Sequence, residues 1–248
     1  MESDDKGARG SGIAAAFAWS SLALNLGLVA GVMVLSPLAY PTEWWTSDLG
    51  APVLLAFAAV GALVASRRRE NTIGWLFCAG ATIWALGSLG HQYAQGGLAH
   101  PTSVWPRTAE AAWAARWLTG LGWGLLATFP LLLFPDGRLP SRSWRPVAWF
   151  AAAVLVLTVC VYFVQPGPLS RGRGDAPNID NPFGVDSVGR LIDPFVDWII
   201  PVLFVGTILA CLAAVIVVSV FPSLTNCACS RLYADGTSGR TRRTRVPT

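Results

Sequence analysis

Six stretches of this chain are each about as long as a bilayer is thick and carry almost no charge, and this constrains the fold more than any other feature. A helix rises about 1.5 Å per residue and the hydrocarbon core is about 30 Å thick, so roughly 20 apolar residues cross it. The runs at about 13–38, 49–66, 72–93, 111–134, 147–164 and 195–221 meet that length, the second being the shortest. They are continuous rather than alternating in polarity, which argues for helices and against barrel strands. Inside lipid the backbone must also bond within its own segment. The expected fold is therefore an all-α membrane protein, a bundle of six transmembrane helices spanning 13–221.

Charge composition agrees. Only 13% of the 248 residues are charged, where a soluble domain carries about 25%. Too few polar side chains remain to cover a water-facing surface of this size. Twelve Trp residues suit a chain with many membrane–water interfaces. Trp44, Trp45, Trp105, Trp113 and Trp198 fall near one set of expected boundaries, and Trp75, Trp144 and Trp149 near the other. The first ten residues hold Glu2, Asp4 and Asp5 and precede a long span, unlike the basic start and short apolar core of a cleaved signal peptide.

The loop arginines and lysines orient the bundle. Lys6 and Arg9, Arg67 to Arg69, Arg138, Arg142 and Arg145, and Arg231 to Arg245 all fall on one side if six helices alternate. That side holds thirteen basic residues; the other holds four, Arg107, Arg171, Arg173 and Arg190, with Arg116 inside the fourth run. The positive-inside rule then places both termini in the cytoplasm and the protein in the plasma membrane. Residues 1–12 read as a cytoplasmic N-terminus and 222–248 as a disordered basic tail without helical periodicity.

Of the five Cys, Cys78, Cys160 and Cys211 lie within apolar runs, while Cys227 and Cys229 sit in the tail without the four ligands a structural metal site needs. No cofactor or metal is expected. Ionisable residues in a span are functional candidates because burying charge in lipid is costly. Arg116 and Asp197, near the exterior ends of the fourth and sixth helices, together with Glu110, form the candidate outer-leaflet polar site. At this shallow depth the simpler expectation is that Arg116 and Asp197 snorkel to the interface, and that Glu110 is a first-turn acid at a helix N-terminus. Asn25, in mid-span, is placed to bond across helices. Gly74, Gly80, Gly87 and Gly90 allow close approach along the third helix. The Arg67–Arg69 and Arg138–Arg145 clusters read first as topology signals, with anionic lipid recognition as the alternative. A turn, rather than chemistry, is encoded at Pro135-Asp136-Gly137: Pro presets φ, Asp bonds its own backbone and Gly relieves strain.

The string Leu131-Leu-Leu-Phe-Pro-Asp-Gly-Arg-Leu-Pro-Ser-Arg-Ser-Trp-Arg-Pro-Val147 resembles the membrane-embedded sensor region of actinobacterial sensor histidine kinases. Phe134, Pro135, Asp136, Gly137 and Arg138 form its most specific part, a cytoplasmic turn motif. Arg68-Arg-Glu-Asn-Thr-Ile-Gly-Trp-Leu-Phe-Cys78, Pro166-Gly-Pro168 and Asn181-Pro-Phe-Gly184 agree in type and order. The resemblance runs from the second helix to about Val220. It implies the input module of a two-component system, in which a stimulus at the membrane or the exterior loops biases helix packing and the sixth helix passes the shift inward.

The resemblance ends where that family continues into a dimerisation helix and an ATP-binding domain. No phosphoacceptor segment or Gly-rich ATP motif follows Val220, and His91 and His100 fall on the exterior side, away from cytoplasmic ATP. The chain is therefore expected to have no catalytic residues and no kinase activity of its own. The tail reads either as a disrupted reading frame, the favoured explanation, or as the end of a stand-alone membrane protein. Expected partners are the lipid bilayer, a second copy through the transmembrane helices, and a cytoplasmic signalling partner. Nucleic acid is not expected, since Arg240 to Arg245 is short and lacks interleaved aromatics. The alternative class is a small transporter or accessory membrane protein. Against transport stand the lack of a deep charge and of paired broken helices.

Overall fold

A computed structural model describes residues 2–40, 50–100, 105–139, 141–169, 179–187, 189, 193 and 195–220. The described residues form six long helices: α1 (Glu2–Ala39), α2 (Gly50–Arg67), α3 (Thr72–Ala99), α4 (Thr108–Leu132), α5 (Arg145–Val164) and α6 (Ile200–Val220). A single 3-10 turn, Arg142–Trp144, precedes α5, and a π turn, Phe195–Ile199, leads into α6. Among the described residues there is no strand, only an isolated bridge between Pro168 and Asp180. The expected tail at 222–248 lies outside the described residues.

Two boundaries differ from the sequence expectation. The first helix already starts at Glu2, so the segment expected as a tail before the first span is helical. The third runs on from Tyr93 to Ala99. Nothing between Tyr93 and Ala99 breaks a helix, and Gln92 and Gln95 are buried against neighbouring helices instead of ending the run. Four helical segments are long and apolar enough to cross a membrane: Gly12–Ala39, Gly50–Arg67, Thr72–Ala99 and Arg145–Val164. In α4, Glu110 and Arg116 dilute an otherwise apolar sequence, and α6 contributes the shorter apolar stretch Ile200–Ala213.

The surface of these helices is apolar. Trp149 is 75% exposed, Val34 69% and Val202 67%, with Phe17, Val156, Leu209 and Ile216 also facing outward. A water-soluble protein rarely leaves so continuous an apolar surface uncovered, and lipid is the solvent that accepts it. The interior, by contrast, is built from small residues. The buried positions of α2 are Leu54, Ala58, Gly61, Ala62 and Ala65, and those of α3 include Gly74, Gly80, Ala81, Ala85 and Gly87. Lipid tails are as apolar as Leu, so helices gain by close backbone approach rather than by hiding large side chains.

The helices pack as two triads, α1–α2–α3 and α4–α5–α6, joined along α3 and α4, the most extensive contact in the molecule. Gly87 and Gly122 make that joint possible. A Cβ on Gly87 would lie 2.7 Å from the Thr119 nitrogen, and one on Gly122 would lie 2.6 Å from the Trp84 nitrogen. Gly74 has a different role from Gly80 and Gly87, since its added Cβ would meet the backbone of Ala65 on α2 at 2.7 Å. Within the first triad, Asn25 is fully buried and donates through Nδ2 to the Ser21 carbonyl and to Thr82 Oγ1, both at 2.8 Å. Thr82 in turn donates to the Cys78 carbonyl at 2.8 Å. The cross-helix bond that Asn25 promises in sequence is therefore made to α3.

Candidate functional site

At the end of the bundle where α4 begins and α3 ends, the two triads diverge around a cavity of about 430 Å³. Its walls come from α3, α4, α5, α6 and the segment after α5. The volume falls within the range of small-molecule sites, about 300–1,000 Å³. Polar side chains gather at the outer end, where Gln95, His91, Arg116 and Tyr162 line it; Trp123, Thr158 and Phe204 line the deeper part. Along α4 the lining runs from Ala112 to Trp123, about 16 Å of helix axis.

Arg116 is half-buried, and its head group reaches the segment just past the end of α5. Its Nη1 donates to the Leu169 carbonyl at 3.0 Å and its Nη2 to Gln165 Oε1 at 2.6 Å. The guanidinium also stands over the Tyr162 ring, 4.9 Å from its centroid. A charge placed among apolar helices is held by satisfying its fork with oxygen acceptors and its face with an aromatic ring. Because Oε1 of Gln165 accepts from Arg116, the amide orientation is set, and its Nε2 is left buried without a partner.

The acceptors for Arg116 stand where they do because the segments after α5 are stitched together. Gly167 has φ +82°, a turn only glycine makes freely. The Asn181 nitrogen donates to the Gly167 carbonyl at 3.0 Å, and the Leu169 nitrogen to the Ile179 carbonyl at 2.8 Å. Asn181 Nδ2 donates to the carbonyls of Gln165 at 2.8 Å and Phe163 at 3.2 Å, while Oδ1 accepts from the Phe183 nitrogen at 3.0 Å. Gly184 then packs on Pro166, where an added Cβ would stand 2.7 Å from the proline Cα. Pro166-Gly-Pro168 and Asn181-Pro-Phe-Gly184 thus meet as one cap over the C-terminal end of α5. Beside it, Phe183 packs against Trp113 with ring centroids 4.6 Å apart, and Phe163 against the same Trp at 4.5 Å.

Glu110 is not among the residues that line the cavity with Arg116. Glu110 lies in the first turn of α4 and is exposed, in the position where a carboxylate complements the helix dipole. The backbone of Asp197 lies in the π turn Phe195–Ile199, and its side chain is outside the described residues. Gln95, Tyr162 and Gln165 were not singled out from sequence. The available signal was a pair of glutamines, Gln92 and Gln95, in an otherwise apolar run.

The turn motif sits at the opposite end of the bundle. Phe134, Pro135, Asp136 and Arg138 are exposed and Gly137 is buried with φ +74°. The Gly137 nitrogen donates to the Leu133 carbonyl at 2.9 Å, closing the end of α4. Asn71 caps α3, its Oδ1 accepting from the Ile73 nitrogen at 2.9 Å. Gly137 rests on that cap so closely that an added Cβ would be 2.5 Å from Asn71 Oδ1 and 2.9 Å from the Thr72 nitrogen. Two pieces of the family-like pattern, from the second–third and fourth–fifth connections, are therefore one contact.

No family model matches the chain, no curated protein matches its sequence, and no solved structure matches its fold.

Proposed function

We propose that this chain is a six-span membrane input module of the two-component sensor type, with both termini in the cytoplasm of a plasma membrane. The observation that carries the reading is that one cavity draws its walls from both triads. A molecule seated there touches α3 on one side and α4, α5 and α6 on the other. Any difference in its affinity for two arrangements of the triads shifts their populations. Its preferred occupant is a small amphiphile, with a polar group beside Gln95, Arg116 and Tyr162 and an apolar body toward Trp123 and Phe204. The membrane helices supply the input, which passes to a cytoplasmic signalling partner, with a second copy engaged through those helices.

The test joins residues 1–220 to the cytoplasmic half of a histidine kinase and measures autophosphorylation in membranes. Filling the cavity with Gly120→Leu is expected to change phosphorylation several-fold at equal abundance, because a Cβ at Gly120 already approaches the Tyr162 ring at 3.3 Å. Identical phosphorylation in filled and unfilled chains overturns the reading. Solute flux in proteoliposomes containing the purified chain would favour the transporter class instead.

A further inference from the structure

A second pocket lies at the other end of the bundle, lined by Arg67, Arg68, Arg69, Asn71, Phe134 and Arg138, with Glu70 and Asp136 beside them. Its volume is about 710 Å³. It is formed where the α2–α3 connection meets the turn after α4, and the seating of Gly137 on the Asn71 cap holds the two together. Four arginines face two carboxylates, and none of the four guanidinium groups has a side-chain partner among the described residues. Four exposed guanidinium forks against two carboxylates leave an excess of positive charge around one concavity, which suits a bound anion.

The pocket also has a fixed depth in the membrane. α2 ends at Arg67 and α3 begins at Thr72, and both are helices long and apolar enough to span. Their shared connection therefore lies at a membrane–water boundary, at the level of lipid headgroups. Phe134, 52% exposed at the rim, offers an apolar surface to the acyl chains of any lipid whose headgroup enters. The N-terminus of α3 opens onto the same space, with its positive dipole end directed there.

We propose that this pocket is a binding site for the phosphate headgroup of an anionic phospholipid, held in a forked manner by Arg68 and Arg138 from the two triads. Guanidinium forks match phosphate oxygens in pairs, which an ammonium does not. The bound headgroup clamps the ends of α2 and α4 together, and so ties the packing of the triads to the lipid composition of that leaflet. The site is separate from the outer cavity and does not depend on the sensor reading.

The test uses the full chain purified in a neutral detergent, titrated with dioleoyl phosphatidylglycerol and, separately, dioleoyl phosphatidylcholine, with bound lipid counted by native mass spectrometry. Saturable binding of one phosphatidylglycerol is expected, at least about tenfold tighter than phosphatidylcholine. Arg68→Gln with Arg138→Gln is expected to weaken it about 30-fold, since each basic contact near a headgroup is worth about a factor of five. Arg142→Gln with Arg145→Gln, on the same end of the bundle but outside the pocket, is expected to change it less than about threefold. Equal losses in the two pairs would mean diffuse surface charge and overturn the proposal, as would equal affinity for the two lipids. Competition by inorganic phosphate at the concentration of the lipid itself would also overturn it, by making the site one for a free anion. If the glutamine pair lowers thermal stability, Arg68→Lys with Arg138→Lys decides: intermediate affinity supports forked recognition and wild-type affinity contradicts it.

Discussion

Arg116, in the third turn of α4, donates to Oε1 of Gln165, the residue just past the end of α5, at 2.6 Å. This bond, with its companion to the Leu169 carbonyl at 3.0 Å, ties the only charge inside α4 beyond its first turn to the cap over the C-terminal end of α5.

Removing the guanidinium should therefore loosen that end. Hydrogen bonds to charged groups contribute about 1.5–3 kcal/mol each, less where water reaches them. Arg116 is only half-buried, so Arg116→Ala is expected to cost about 2 kcal/mol in all. Arg116→Lys should recover part of the loss, keeping a charge but no fork. Thermal unfolding of the three proteins in the same detergent measures the order; a lysine variant as unstable as alanine would contradict a role for the retained charge.

The joint between the triads depends on missing side chains. Gly122→Val places a branched side chain where the Cβ alone meets the Trp84 nitrogen at 2.6 Å. Overpacking of this kind costs about 1–3 kcal/mol. Gly27→Ala on α1 is the control, because nothing lies within 4 Å of its added Cβ; there the helix gains up to about 1 kcal/mol. Opposite signs for the two substitutions in unfolding measurements are expected, and a neutral Gly122→Val would show that the α3–α4 contact is looser than described.

A smaller effect is expected at the bond between α1 and α3. Asn25→Leu and Thr82→Val, combined in a double-mutant cycle, should give a coupling of about 0.6 kcal/mol, the average for polar pairs between membrane helices. A coupling above about 2 kcal/mol would indicate a polar network larger than Ser21, Asn25 and Thr82.

Sequence reading reaches part of this structure, and its limits are physical. Run length against bilayer thickness is a one-dimensional property, so the helices of the bundle are legible to within a few residues at most of their ends. The small residues of α3 are legible as contact surface for the same reason, and Asn25 stands out as a lone amide in an apolar run. The direction Arg116 faces is not legible. Its acceptors come from Gln165 and Leu169, about fifty positions further along, and local spacing carries no information about which helices meet at such separation. The cavity is a product of the same tertiary pairing. The turn motif was visible as a turn, yet its partner, the Asn71 cap, became apparent only when the two connections were seen in contact.

Side-chain topology follows from the proposed six spans. Single cysteines at Asp136 and Ser187, both exposed positions, should label from opposite faces of sealed vesicles with a membrane-impermeant maleimide. Ser187→Cys is expected to react from outside intact cells and Asp136→Cys only after permeabilisation. Labelling of both from one face would contradict six alternating spans.

The most direct measurement is the distance between spin labels at Ser66, near the end of α2, and Ser141, just before the turn into α5, in a cysteine-free background, with and without Gly120→Leu. If occupancy of the outer cavity changes how the triads pack, filling it should move the distance distribution at the far end by about 2 Å or shift weight to a second peak, the scale of helix shifts in known switches. Superimposable distributions in a folded, filled protein would contradict coupling between the cavity and the far end of the bundle, and with it the proposed input role.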